Sequence, residues 1–235
     1  MEFVFLIQAR LGSNRLPKKV MKSVFRELTL LEVIYKRVLL SKFANRENVY
    51  VLTSENIIDN ELVEFLEAKK IKYYRGSELN VFNRFYSFLS NYELKPTYFF
   101  RICSDNPFLE PLFIDNMCIS AINSPIREDY ISYIDRDGIP IIQKKYGLFC
   151  ELIKTSAFLQ YKTGKDDYSK ENVTAFLYKS DMYKKIYLEL PTEIQNFSLC
   201  IDTKEDYLKA LKVFNKLNKI DFDYLQLINA LEKSK

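Results

Sequence analysis

Short apolar runs alternate with amphipathic stretches along the first half of the chain. The run at 2–7 predicts a buried strand, and the apolar positions of 29–42 recur at helical spacing. Strands that alternate with helices over short connections predict an α/β fold of three αβα layers around a mainly parallel sheet. Further strands are predicted at 49–54, 71–74 and 97–107, where the last strand runs into a turn, and further helices at 57–69, 79–92 and 111–122.

This alternation loosens after residue 124. Segment 125–165 lacks a regular period, so we interpret it as a lobe inserted into one domain that spans residues 1–235. Strand patterns resume at 182–190 and 197–202, and the tail from residue 204 predicts two helices.

Composition excludes several classes of function. The formal charge of the 235-residue chain is only +4 and is spread along it, so we expect no nucleic-acid partner. Its apolar stretches are far shorter than the roughly 20 residues of a membrane span, so we expect no membrane segment. The N-terminus enters a strand pattern without an export signal, which predicts a cytoplasmic protein.

Cysteine and histidine content narrows the chemistry further. The four cysteines are far apart in apolar contexts, which favours reduced core thiols over a disulfide or zinc framework. The chain has no histidine, which excludes Ser-His-Asp and Cys-His nucleophile pairs and His-ligated zinc. Carboxylates, cations, hydroxyls and an oxygen-ligated metal remain as the available chemistry.

The stretch QARLGSNRLPKK at 8–19 follows the first predicted strand and concentrates positive charge. Arg10, Arg15, Lys18 and Lys19 surround the single glycine Gly12. Backbone N–H groups and cations at a strand end suit phosphate oxygens, although the loop has neither the Walker A spacing nor the G-x-G-x-x-G spacing. The alternative interpretation is a solvated basic loop.

Two aspartates follow predicted strands. Asp105 lies in RICSDNP, and Asp202 lies in LCIDTKED. If both strands belong to one parallel sheet, their carboxylates converge at one edge and provide hard oxygen ligands for Mg²⁺. Alternatively, Asp105 forms a turn before Asn-Pro, and Asp202 caps the helix predicted at 204. A phosphate-binding loop with an oxygen-ligated metal and no histidine points to phosphoryl or nucleotidyl transfer.

Five blocks in order resemble the cytidylyltransferase family of CMP-sugar-acid synthetases and SpsF-type spore-coat polysaccharide proteins. The family loop reads approximately Q-A-R-x-G-S-x-R-L-P-x-K, similar to IQARLGSNRLPKKVMK. Four further blocks match family patterns in the same order along the chain. YRGSELNVFNRFY resembles R-G-S-x-x-D-V-L-x-R-[FY]-Y, and FRICSDNPFLEP resembles R-x-x-[GS]-D-x-P-x-[IL]-x-P. KENVTAFLY resembles R-E-H-V-T, and CIDTKEDY resembles D-T-x-E-D. The matches extend from about residue 3 to 210.

The resemblance implies a nucleotide-diphospho-sugar transferase fold, which is GT-A-like, and a reaction of CTP with a sugar or sugar-acid acceptor that releases pyrophosphate. By resemblance, Arg10, Arg15 and Lys19 are catalytic, and Asp105 and Asp202 hold Mg²⁺. The resemblance also implies acceptor binding and homodimerisation by the lobe at 125–165. The implied nucleotide- and acceptor-binding residues are Gly12, Ser13, Arg75, Ser77, Arg101, Glu151 and Glu171.

Three positions depart from the family pattern. Lys18 stands where glycine is usual, Asn80 where aspartate is common, and Asn172 where histidine is usual. These changes tune specificity or mark a non-catalytic nucleotide-binding homologue. A glycosyltransferase that consumes an NDP-sugar is the other alternative, although it would carry a D-x-D-like motif.

The acceptor is the least defined partner. An anionic acceptor would need cations near the loosened segment, and four are available, although each also fits a solvated surface position. These candidates are Arg75, Arg84, Lys144 and Lys145.

Overall fold

The computed structural model describes residues 2–161, 170, 172–191, 194 and 197–232. The strands in this part of the chain are β1 Phe3–Gln8, β2 Ser23–Phe25, β3 Leu28–Thr29, β4 Val49–Ser54, β5 Tyr73–Gly76, β6 Tyr98–Cys103, β7 Tyr130–Ile134, β8 Glu151–Lys154 and β9 Lys185–Glu189. Its α-helices are α1 Leu30–Val38, α2 Asn60–Ala68, α3 Val81–Asn91, α4 Pro111–Asn123, α5 Thr155–Gln160, α6 Ala175–Lys179, α7 Lys204–Leu217 and α8 Tyr224–Glu232.

Seven of these strands form one sheet in the order β5-β4-β1-β6-β8-β7-β9. The pairs β1·β4, β1·β6, β4·β5 and β7·β9 are parallel, and only β8 runs antiparallel to its neighbours in this described sheet. The sheet is therefore mainly parallel, as predicted. Strands β2 and β3, which the sequence pattern did not predict, form a separate small ribbon.

Helices cover both faces of the sheet. Phe5 and Ile7 of β1 enter one apolar core with α1, α2, α4, α7 and α8, whereas Val4 and Leu6 enter a second core with α3, α5 and α6. Residues 3–7 are continuously apolar because successive side chains of a strand point to opposite faces, and here both faces are buried. The predicted three-layer αβα class is confirmed.

The register of the central strands places their carboxyl ends side by side. Gln8 at the end of β1 pairs with Cys103 at the end of β6, and β1 also runs parallel to β4. The loops that follow β1, β4 and β6 therefore leave the sheet at one edge.

Several predicted boundaries were wrong. Helix α1 is shorter than 29–42, because a capping box between Thr29 and Glu32 starts it and hydrogen-bonded turns replace the helix after Val38. Strand β5 lies two residues later than predicted.

The predicted strand at 197–202 is wrong. This segment makes isolated backbone bonds instead of a ladder, with Leu199 N–H donating to the Lys145 carbonyl (3.0 Å) and Ile201 N–H to the Asp105 carbonyl (2.8 Å). Asp202 therefore follows an extended segment that bridges two loops, and Thr203 rather than Asp202 caps α7.

The predicted lobe at 125–165 supplies two strands, β7 and β8, to the main sheet. Its residues 162–165 lie outside the described residues. Acceptor binding and dimerisation by this segment stay predictions, as does the single-domain organisation.

The cysteines agree with the predicted core thiols. Cys118 and Cys150 are buried, Cys103 and Cys200 are partly buried, and all four are free. Across the described residues, no helix is long and apolar enough to span a membrane.

Arg37 is a fully buried cation that joins the C-terminal segment to the core. Its guanidinium donates to the carbonyls of Leu109 (2.6 Å) and Phe222 (3.2 Å), lies 3.6 Å from the Phe222 ring centroid, and is 3.7 Å from the Glu110 carboxylate. Burial lowers the pKa of Arg37 to about 10, and Glu110 opposes this shift.

We expect Arg37→Met to lower the free energy of unfolding by about 3–5 kcal/mol, because it leaves a buried carboxylate and several carbonyls without their partner. The control is Lys36→Met at the exposed neighbouring position, which should change stability by less than about 0.5 kcal/mol. Urea denaturation measures both. Equal effects of the two variants would contradict the anchoring role of Arg37.

Gly147 packs directly against the extended segment that leads to Asp202. Its φ is +76°, and a Cβ there would lie 2.6 Å from the Leu199 carbonyl carbon and 2.8 Å from the Cys200 nitrogen. Gly138 has nearly the same φ, +75°, but a Cβ there would meet nothing within 4 Å. The two glycines therefore separate backbone strain from steric clash.

We expect Gly138→Ala to cost about 1 kcal/mol through left-handed strain alone, and Gly147→Ala to cost about 2 kcal/mol more because backbone must move. Urea denaturation of both variants measures the difference. Equal losses would show that segment 199–200 yields without cost.

Candidate active site

A cleft of about 360 Å³ opens at the carboxyl edge of the sheet. The predicted site residues Arg10, Gly12, Ser13, Arg15, Lys19, Asp105 and Asp202 all line it. Gln8, Ala9, Asn14, Val81, Arg84, Cys103 and Ser104 complete the lining. The loop after β1 and the turn after β6 thus form one site, as the topology of a parallel sheet requires.

The opening loop, residues 9–18, directs its cations outward because its apolar residues point inward. Leu11 and Leu16 are buried in the core, whereas Arg10 is half-buried and Arg15 is exposed. The Leu11 carbonyl accepts hydrogen bonds from Ser13 N–H (2.8 Å) and Lys18 N–H (3.3 Å), which closes the loop on itself.

Lys19 lies between the two predicted metal ligands. Its Nζ is 3.3 Å from Asp202 Oδ1 and 3.8 Å from Asp105 Oδ2, and it donates to the Ile201 carbonyl at 3.0 Å. Arg15 and Lys145 also contact Asp202, at 3.2 and 3.3 Å. Both carboxylates therefore lie beside the cation-rich side of the cleft.

The two carboxylates differ electrostatically. Burial raises the pKa of Asp105 above its usual value; Lys19 opposes this shift and Asp202 adds to it. Burial also acts on Asp202, but Lys19 and Lys145 outweigh it and hold the pKa of that carboxyl below its usual value.

Asp105 and Asp202 fit a divalent cation by the chemistry of their donors. Two carboxylates beside an anion-binding loop suit Mg²⁺, which binds one or two carboxylates and completes its shell with waters and phosphate oxygens. In the part of the chain that the structure describes, no cluster of three or more His, Cys, Asp or Glu side chains could form an all-protein metal cage.

Arg84 is a buried cation in the same cleft, not the solvated surface group that its sequence position suggested. It donates to the carbonyls of Ser77 (2.8 Å) and Glu78 (3.3 Å), and its pKa is lowered to about 10 by burial and by the charge of Arg10. Two arginines that repel each other in the lining of one cleft are favourable for binding an anion.

Four other predicted site residues do not line this cleft. Arg75 donates to the carbonyls of Ser54 and Asn56, both at 3.0 Å, and so binds the end of β4. Ser77 lines a separate polar depression, where its Oγ accepts from Asn80 N–H (3.1 Å).

Arg101 and Glu151 are brought together behind the cleft wall. Glu151 is 1% exposed and accepts hydrogen bonds from Arg101 (2.6 Å), Tyr130 (2.6 Å) and Thr174 (2.8 Å). Arg101 also donates to Gln8 at 3.2 Å, so this network supports a residue that lines the cleft. Glu171 lies outside the described residues.

The remaining candidate cations have defined partners. Lys144 pairs with buried Asp135 at 3.3 Å, whereas Lys145 pairs with Asp202 of the cleft. Sequence reasoning did not identify Gln8 or Cys103 as lining residues, although both end strands whose carboxyl ends were expected to form the site.

Lys18 and Asn80 lie outside the cleft. Lys18 adopts left-handed backbone (φ +52°), the conformation that favours glycine, and its ammonium pairs with Glu61 at 2.5 Å. Asn80 Oδ1 accepts from Asn83 N–H at 2.8 Å and caps α3. Neither departure from the family pattern removes a group from the cleft lining.

Comparison with known sequences gives one family over nearly the whole chain. The cytidylyltransferase family model matches residues 4–234. An uncharacterized protein of Methanocaldococcus jannaschii is 28% identical, with 100% of this chain and 92% of that protein covered. The spore coat polysaccharide biosynthesis protein SpsF of Bacillus subtilis is 27% identical, with 99% of this chain and 95% of SpsF covered.

Solved structures share the fold. A cytidylyltransferase from Leptospira borgpetersenii superposes with a TM-score of 0.86 at 26% identity. The superposition covers 100% of this chain and 95% of the Leptospira chain. A CMP:2-keto-3-deoxy-manno-octonic acid synthetase complexed with CTP has a TM-score of 0.66 at 12% identity, with 92% and 99% covered. At that identity, the second likeness concerns the fold alone.

The cleft geometry predicts that Lys19, and not its neighbour Lys18, binds polyphosphate. We expect Lys19→Met to raise the Kd for inorganic tripolyphosphate about tenfold or more, because a charge-assisted hydrogen bond is lost. Lys18→Met removes the same charge outside the cleft and should change Kd by less than about twofold. Calorimetric titration measures both, and equal effects would mean that net charge rather than the cleft binds the anion.

Proposed function

Since the chain belongs to the cytidylyltransferase family, we propose that it transfers CMP from CTP to an oxygen of a sugar or sugar acid and releases pyrophosphate, with Mg²⁺ as cofactor. The observation that carries this proposal is the position of Lys19, whose ammonium contacts Asp105 and Asp202 inside a cleft lined by arginines. A polyphosphate and a divalent cation are the partners that complement these two sets of charges.

The opening loop and the adjoining Lys19 would bind the triphosphate. Arg10, Arg15 and Lys19 provide cations, and Gly12 and Ser13 bring backbone close to the cleft. A Cβ at Gly12 would have no neighbour nearer than Glu78 Oε1 at 4.0 Å, so the loop backbone borders open space that a phosphate can enter. These cations would offset the negative charge that develops on the departing pyrophosphate.

Asp105 and Asp202 would hold the metal, and Lys19 would then be free to contact phosphate oxygens. Bound Mg²⁺ would supply charge neutralisation and orientation of the phosphates. Lys145 contacts Asp202 from a different loop and would add a further cation beside the metal site.

The available residues favour direct attack by the acceptor oxygen over a covalent enzyme intermediate. The chain has no histidine to activate a nucleophile. Cys103 lines the cleft, but burial raises the pKa of its thiol to about 11, so it stays protonated at neutral pH. Positioning and charge neutralisation are then the main contributions of the protein.

The acceptor class rests on relatives. SpsF of Bacillus subtilis is a spore coat polysaccharide biosynthesis protein, and the structural neighbour bound to CTP is a synthetase of a CMP-linked sugar acid. We therefore propose a precursor of a surface polysaccharide or glycoconjugate as the product. Of the two neighbouring lysines, Lys145 is the better located for an anionic acceptor, because its partner Asp202 lines the cleft whereas Lys144 pairs with Asp135 outside it. A cytoplasmic location and a homodimer stay predictions.

The decisive test is calorimetric titration with CTP, UTP, GTP and ATP, each with and without Mg²⁺, followed by pyrophosphate release across a panel of sugars and sugar acids. We expect selective CTP binding that Mg²⁺ strengthens, and turnover with at least one acceptor. Preference for an NDP-sugar would support the glycosyltransferase alternative, and CTP binding without any turnover would support a non-catalytic homologue.

Substitution of the proposed metal ligand sharpens this test. We expect Asp105→Asn to lower Mg²⁺-dependent pyrophosphate release about 100-fold or more, because a carboxylate that holds the metal is lost. The control is Asp181→Asn, which removes a fully exposed carboxylate that does not line the cleft and should leave the rate unchanged. Unchanged release by Asp105→Asn would refute the metal role.

A further inference from the structure

Asp59 is a buried carboxylate that lies behind the cleft and contacts its loop. It is 2% exposed, ends a short 3₁₀ turn at Ile57–Asp59 after β4, and does not line the cleft. None of the five family-like blocks contains it. Its Oδ1 accepts a hydrogen bond from Leu11 N–H at 2.7 Å, which is a bond across 48 residues of chain.

The second oxygen of Asp59 is bound to the end of β4. Asp59 Oδ2 accepts from Ser54 N–H at 3.3 Å and also from the Ser54 hydroxyl. The turn itself is held by Asn56, whose carbonyl accepts from Asp59 N–H (3.0 Å) and whose side chain accepts from Ile58 N–H (3.0 Å). Asp59 therefore connects a fixed strand end to the opening loop.

The bond to Leu11 acts at a sensitive point. Leu11 lies between Arg10 and Gly12, and its side chain is buried, so its N–H sets where the neighbouring cation and the phosphate-facing backbone lie. Displacements of about 1 Å in groups that position a substrate can reduce rates about 100-fold.

The same turn is also linked, through Glu78, to Arg84 of the cleft lining. Asn56 Nδ2 donates to Glu78 Oε2 at 2.6 Å, and Arg84 of the cleft lining donates to the Glu78 carbonyl at 3.3 Å. The turn at the end of β4 is thus bonded both to the opening loop and to the residue that accepts a hydrogen bond from Arg84.

We propose that Asp59 is a positioning residue for nucleotide binding: by holding Leu11 N–H it fixes the opening loop in the conformation that receives the triphosphate. This inference rests on the proposed function, because it assumes that the cleft binds CTP. Because Asp59 does not line the cleft, it would position the loop without touching the nucleotide.

Positioning and simple electrostatics predict opposite signs for the loss of this charge. The Asp59 carboxylate raises the pKa of Arg84, so its field reaches the cleft. If Asp59 acted only through its charge, its neutralisation would make the cleft more positive and strengthen anion binding. If Asp59 positions the loop, Asp59→Asn weakens anion binding despite the more favourable field, because an amide has one acceptor oxygen for two backbone donors, Leu11 N–H and Ser54 N–H.

The test is Asp59→Asn, titrated calorimetrically with CTP and with inorganic tripolyphosphate. We expect the Kd for both ligands and the KM for CTP to rise about tenfold, with kcat changed less than about threefold. The matched control is Asp115→Asn. Asp115 is also buried and accepts from a serine hydroxyl (Ser41, 2.6 Å) and a backbone N–H (Lys42, 3.0 Å), but it does not line or border the cleft.

Asp115→Asn should lose stability without any change in Kd. Tighter or unchanged binding by Asp59→Asn, or an equal loss of affinity in both variants, would overturn the proposal. If Asp59→Asn does not fold, Ser54→Ala is used in its place, because this variant removes one hydrogen-bond donor to Asp59. We expect Ser54→Ala to raise Kd about threefold. Its control, Ser41→Ala, removes the corresponding donor to Asp115 and should leave Kd unchanged. Absence of CTP binding by the unaltered protein would instead refute the proposed function.

Discussion

Burial of β1 on both faces is the constraint on which the rest of the structure depends. Its side chains alternate between two apolar cores, and it pairs with a parallel strand on each side. A strand buried in this way can bear unpaired polar groups only where it ends, and parallel neighbours end at the same edge. The parallel pairing of β1 with β6 is therefore enough to bring the cations after β1 close to the carboxylate after β6.

The cleft at this edge separates charge into two sets. Arg10 and buried Arg84 are cations of the lining that repel each other, whereas Asp105 and Asp202 are carboxylates that both contact Lys19. Each set of like charges needs opposite charge beside it, because a buried charge without a partner is costly. A polyphosphate with a divalent cation would satisfy both sets together, which is the physical basis for a nucleotidyl-transfer function here.

Residues outside the family-like blocks determine how accurately these groups are held. Asp59 binds the opening loop through one backbone N–H, and Gly147 permits the close approach of the segment that leads to Asp202. Arg37 joins the C-terminal segment to the core. All three act over long sequence separations, so their roles depend on contacts that form only in the folded chain.

Periodicity by itself determined the layer class and most helices and strands, because alternation of apolar positions reflects burial directly. The residue types of Arg10, Lys19, Asp105 and Asp202 determined the kind of chemistry, since strand ends of a parallel sheet converge. Only the tertiary structure decided that Arg84 is buried in the cleft, that Glu151 is bound behind it, and that 197–202 is not a strand. The reason is physical: local pattern records whether a residue prefers burial, whereas its partners are set by packing between segments far apart in sequence.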